Sequence, residues 1–248
     1  MGREVFIYQL QEDKIAEGFY DFLRSSDIVN VFKDFIAERK RGFANPYDLT
    51  FEKLMEKVKE GLKEVDGDEL FEIIYFMTEE ISQELEGDAD EFLRNLGLDK
   101  IYESKTKSEA NLFISQYHNY IEGVMDGVDK DPLPNRDQVS REVFTGFLDY
   151  MLLYLNEVNK WEASAVSVSY AALEQQQLDE IRKRTASAPR IHQLMDQELE
   201  LAREELAIHQ GKETSGHLGH ARSLFTRCVE IKSKLHDQVE RLVVIDSV

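Results

Sequence analysis

The sequence predicts an all-α fold, a compact multi-helix N-terminal part followed by long antiparallel helices forming a bundle or helical hairpin. Three observations point there. Apolar residues recur at three- and four-residue intervals through most of the chain, which puts them on one face of a helix. Capping signals stand near the starts of these stripes. The four prolines fall between the stripes rather than inside them.

Taken in order, the first stripes are Ile15, Phe19, Phe22 and Leu23, then Ile28, Phe32, Phe35 and Ile36. Phe51, Leu54, Met55, Val58 and Leu62 form the next. Leu70, Ile73, Ile74, Met77, Ile81 and Leu85 follow. Asp88-Ala-Asp-Glu91 and Thr106-Lys-Ser-Glu109 fit the capping box, in which a short side chain and a Glu satisfy free N–H groups at a helix start. Two short strand candidates, Val5 to Leu10 and Val166 to Tyr170, are outweighed by the helical stripes around them. Loops are expected at 127–136, which holds Pro132 and Pro134, and at 211–219, which holds three glycines.

Composition divides the chain. Aromatics crowd the first 160 residues, and beyond Trp161 only Tyr170 and Phe225 remain. Residues 51–100 hold 16 acidic and 6 basic residues, whereas 201–248 hold seven of each. Two units are expected: an acidic, aromatic-rich helical domain over 1–134 and a long-helix, coiled-coil-like domain over 135–248.

The last helix is expected to run the length of a heptad seam. Ala221, Cys228, Leu235 and Leu242 fall seven apart, with Leu224, Ile231, Gln238 and Ile245 in a second row beside them. The loop at 211–219 would fold this helix back on the preceding one, which carries Ile191, Met195, Leu199, Ala202 and Leu206. The seam either closes a bundle within the chain or pairs with another chain. Cys228 reads as a small packed hydrophobe.

Of 248 residues, 49 are acidic and 30 basic, a formal net charge of −19. That excess repels a phosphate backbone and disfavours nucleic acid as a partner. One cysteine excludes an internal disulfide and a paired-cysteine zinc or redox site. The longest stretch without Asp, Glu, Lys or Arg, Ala110 to Ile121, is too short for a membrane span. With no apolar leader at the start, a cytoplasmic protein is expected.

Catalytic and cofactor motifs fail one by one. His217 and His220 with Cys228 could ligate a metal, but the histidines straddle a glycine in an expected loop and no second cysteine helps. The phosphate-loop, nucleophile-elbow, zinc-protease and dinucleotide patterns are absent, and no cofactor is expected. Arg203-Glu-Glu-Leu-Ala-Ile-His209 resembles, in spacing, the Arg-x(4–6)-His motif of HEPN ribonucleases, which are helical bundles. That resemblance implies an Arg203 and His209 pair acting on a scissile phosphate, which Glu204 beside them would repel.

The leading expectation is a non-enzymatic interaction or regulatory protein. Its partner is another protein or a second copy of itself. Leu224, Ile231, Leu235 and Leu242 would form an apolar contact, and Glu69, Glu72, Glu79 and Glu80 an acidic surface. The alternatives are the HEPN-like ribonuclease and an acidic decoy that inhibits a basic nucleic-acid-binding protein.

Overall fold

The computed structural model describes residues 3–42, 50–63, 65, 67–81, 89–125, 137–166, 175–185, 189–208 and 221–247. It is mostly helical, as the stripes require, but it is not all-α. β1 (Glu4–Leu10), β2 (Leu98–Glu103), β3 (Gln138–Ser140) and β4 (Arg241–Ser247) form an antiparallel sheet in the order β2-β1-β4-β3. The two strands nearest the ends of the chain therefore lie at its centre.

Both central strands are apolar on both faces, the pattern of a strand covered on each side. Alternation then sorts their side chains. Val5 and Ile7 of β1, with Leu242 and Val244 of β4, join one apolar cluster. Tyr8 and Leu10, with Val243 and Ile245, join a second. Past α1 (Glu12–Lys14), which buries no residue, the second cluster continues into a π-helical turn (Ile15–Phe19), α2 (Tyr20–Leu23), α3 (Ser26–Gly42), α4 (Phe51–Lys59), α5 (Gly67–Tyr75), a second π-helical turn (Phe76–Ile81) and α6 (Ala89–Asn95). The first continues into α7 (Lys107–Met125), α8 (Arg141–Val166), α9 (Gln175–Thr185), α10 (Pro189–Ile208) and α11 (Ala221–Lys234). The result is a sheet between two helical layers.

Most stripe residues fall on helices as expected, but Leu62 lies in the turn beyond α4 with φ at +58°. Ile15, Phe19, Leu23, Phe32, Leu54, Val58, Leu70, Ile73 and Met77 are all buried; Leu85 lies outside the described residues. Thr106 caps α7, its Oγ1 accepting the Glu109 N–H at 3.1 Å. The Glu109 carboxylate does not complete the box. It is 2% exposed and accepts from the Tyr102 hydroxyl at 2.8 Å, with Arg227 Nε 3.8 Å away. Asp88, the two expected loops and most of the Val166–Tyr170 candidate lie outside the described residues.

The expected long last helix is corrected. α11 ends at Lys234, and the chain turns at 237–238 before entering β4. Leu242 and Ile245 therefore belong to a strand. The reason is physical: Leu242-Val-Val-Ile245 is rich in β-branched residues, which prefer the pleated sheet. A strand buried on both faces is apolar at every position, so it extends any seven-residue row by coincidence.

The expected pairing of the last two helices is also corrected. α11 packs mainly on α8, while α10 packs on α7 and α8. The pairs Arg141–Asp237 and Asp149–Lys232 show that the chain through α11 runs antiparallel to α8. α8 is buried without interruption from Phe147 to Asn156, the mark of a helix enclosed on all sides. Its one carboxylate in that stretch, Asp149, is 2% exposed and joins three helices. Arg184 of α9 donates to it at 2.8 and 3.1 Å, and Lys232 of α11 donates from the other side.

Candidate functional site

The four apolar residues expected at an interface are placed by the fold. Leu224 and Leu242 are 0% exposed and Ile231 is 1% exposed, while Leu235 is half-buried against the same cluster. Covered by α8 and the sheet, they leave no apolar ridge open. Large apolar side chains on the described surface are dispersed: Tyr75 on α5, Leu201 on α10 and Val229 on α11. Cys228 is fully buried among these core residues, and burial pushes its thiol well above the usual range. Thiol reagents at neutral pH are expected to label it only as fast as the whole protein opens. Rapid labelling of the native protein would contradict this packing.

The acidic candidates separate. Glu69 is 6% exposed and pairs with Lys57 of α4, so it ties α5 to α4. Glu72 is half-buried on α5. Glu79 and Glu80 fall within the second π-helical turn. Arg203 stands on α10 with its guanidinium 4.4 Å over the Trp161 ring and 3.5 Å from Glu200. His209, His217 and His220 lie outside the described residues. Among the described residues no group of three or more His, Cys, Asp or Glu is placed to hold a metal ion. No described helix is long and apolar enough to cross a membrane.

Both helical layers carry an excess of acidic residues. The described residues of 11–97, which form the helical layer on one face, hold 17 acidic and 11 basic residues. The described residues of 104–240 outside β3, which form the other layer, hold 17 and 13. Within the first of these layers, Asp13, Glu17 and Asp21 recur every fourth residue, and all three are exposed. Glu52, Glu56 and Glu60 repeat this spacing along α4 and just past its end, also exposed. α4 packs on the first π-helical turn and on α2, so the two carboxylate rows lie on neighbouring helices.

One feature was hidden from sequence reasoning. Leu10, Leu98 and Arg241 pair at one end of the sheet. An open cleft of about 890 Å³ lies there, lined by residues 10–14, Arg94 and residues 236–240. Behind its wall sits Asp99, 7% exposed. Asp99 Oδ1 accepts from Arg94 Nε at 2.8 Å, and Oδ2 accepts from Gln9 Nε2 at 2.7 Å. His236 Nε2 lies 3.7 Å from the same Oδ2. Gln9 is fully buried; its amide also donates to the Lys234 carbonyl at 3.1 Å, and its Oε1 accepts the His236 N–H at 3.2 Å. A buried carboxylate thus holds the Arg94 guanidinium at the cleft from behind, and a buried carboxamide holds the backbone of His236, whose imidazole lies near Asp99. Asp99 and His236 come from different elements, far apart in sequence and with no motif linking them. The only local hint was a polar Gln9 inside an otherwise apolar strand.

Comparison with known proteins finds no matching family model, no matching curated protein and no matching solved structure.

Proposed function

We propose that this protein acts by binding, as an interaction or regulatory protein that docks a basic partner on the exposed carboxylates of one helical layer. The observation that carries this reading is the pair of exposed carboxylate rows, Asp13, Glu17 and Asp21 on α1–α2 and Glu52, Glu56 and Glu60 along α4, on neighbouring helices of one layer. Such a surface steers a cationic partner and rejects anionic ones, giving selectivity without an apolar patch. The partner chemistry that fits is a lysine- or arginine-rich protein surface. A nucleic-acid-binding protein that this layer occupies as a decoy belongs to the same class.

The test compares two charge-matched triple variants in affinity capture from the native host. Glu52→Lys, Glu56→Lys and Glu60→Lys alter the carboxylate row along α4. Asp196→Lys, Glu200→Lys and Glu204→Lys alter exposed positions on α10 in the other layer. The wild type and the α10 triple are expected to retain a basic partner at about 0.1 M salt and release it near 1 M, where the screening length falls to about 3 Å. The α4 triple is expected to lose it at both. Equal capture by the two triples, or capture indifferent to salt, would refute the reading.

A further inference from the structure

The cleft at the end of the sheet carries a reading independent of partner docking. Its volume, about 890 Å³, lies at the upper end of the roughly 300–1,000 Å³ of small-molecule sites. Its lining carries both signs of charge: Glu12, Asp13, Asp237 and Glu240 against Lys14 and Arg94, with His236 among them. Two of the carboxylates are engaged by arginines. Glu12 accepts from Arg241 Nε at 2.8 Å, and Asp237 accepts from Arg141 at 2.5 Å. Asp13 and Glu240 form no ion pair with another described residue, and both are exposed.

This balance selects the ligand. A polyanion such as a nucleotide would meet Asp13 and Glu240, and a polyamine would meet Arg94 and Lys14. A molecule with one carboxylate and one ammonium satisfies both sides. Arg94, fixed through Nε on Asp99, supplies a planar donor for a carboxylate, and the exposed imidazole of His236 lies near it, 3.7 Å from Asp99. Asp13 and Glu240 supply acceptors for an ammonium.

We propose that this cleft binds a small zwitterion of the amino-acid or short-peptide class, its carboxylate held by Arg94 with His236 and its ammonium by Asp13 and Glu240. The bond from Arg94 to Asp99 is what makes the site specific, because it orients the guanidinium before the ligand arrives.

The test is an NMR titration of the full chain with the twenty free amino acids and a panel of dipeptides, followed at the amides of Gln11, Gly97 and Val239. N-acetylated and C-amidated forms of each hit, which lack one charge, run beside inorganic phosphate and spermidine. Saturable shifts with a zwitterion are expected, weakened about tenfold or more in Arg94→Gln and in the double variant Asp13→Asn/Glu240→Gln. Hits among amino acids alone or among dipeptides alone set the length of the ligand. The double variant changes only exposed side chains, so its fold is retained even if Arg94→Gln perturbs the wall. The proposal is overturned if no zwitterion shifts these amides, if capped analogues bind equally, if phosphate or spermidine alone binds as well, or if the double variant binds like the wild type.

Discussion

A chain ending at Glu240 is expected to have no cooperatively folded state. The truncation removes β4, whose Leu242, Val243, Val244 and Ile245 are each no more than 2% exposed and serve both apolar clusters. At about 1.5–3 kcal/mol per buried side chain of this size, four of them contribute on the order of 6–12 kcal/mol. That matches the whole stability of an ordinary domain, about 5–15 kcal/mol. The cut also strips β1 of its partner from Glu4 to Leu10 and separates it from β3, leaving an unpaired apolar edge open to aggregation. Circular dichroism melts and gel filtration of the fragment are expected to show a non-cooperative, aggregating chain. A soluble fragment with a sharp thermal transition would mean that the strand is dispensable.

Gly97→Ala is the single substitution with the largest expected effect. Gly97 joins α6 to β2 with φ at +95°, a conformation that residues with a side chain rarely adopt. A Cβ there would stand 2.7 Å from Ile15 Cγ1 and 2.9 Å from both Gln11 O and Ile15 N. Two of those three atoms are backbone, so no rotamer change relieves the overlap. The same segment carries the bond from Gln11 N–H to the Gly97 carbonyl at 2.9 Å, which fixes the start of α1 against β2. Strain and overlap together are expected to destabilise the fold by roughly 3–5 kcal/mol in urea denaturation. Because Gln11 also lines the cleft, partial relaxation would deform it. A loss below about 1 kcal/mol would place this turn elsewhere.

What was legible in the sequence follows from which signals are local. Amphipathic helices reveal themselves within a few turns, and most of the stripe residues from Ile15 to Met77 are buried, with Phe22, Ile28, Phe51 and Met55 partly buried against the same core. Val5 to Leu10 was visible as a strand candidate, and it is β1. It was outweighed because its partners, β2 and β4, lie far along the chain, and no local pattern announces a long-range pairing. The run Leu242–Ile245 was visible too, but a short continuous apolar run suits a buried strand and a buried helix equally. Its agreement with the row through Ala221, Cys228 and Leu235 tipped the reading towards a helix. Of the candidate surfaces, the acidic bias of the N-terminal part was open to counting. The cleft was not, since Asp99, Arg94, His236 and Gln9 meet only once the sheet is closed.

The fold turns on the segment 241–247 running as a strand between β1 and β3. Backbone NMR of the intact protein tests it most directly. Extended Cα and Cβ shifts are expected for Arg241–Ser247, with cross-strand contacts between Phe6 and Ile245 and between Tyr8 and Val243, and with amides that exchange only through global unfolding. Helical shifts continuing from Lys234 through Ile245, with no contact to residues 4–10, would contradict it.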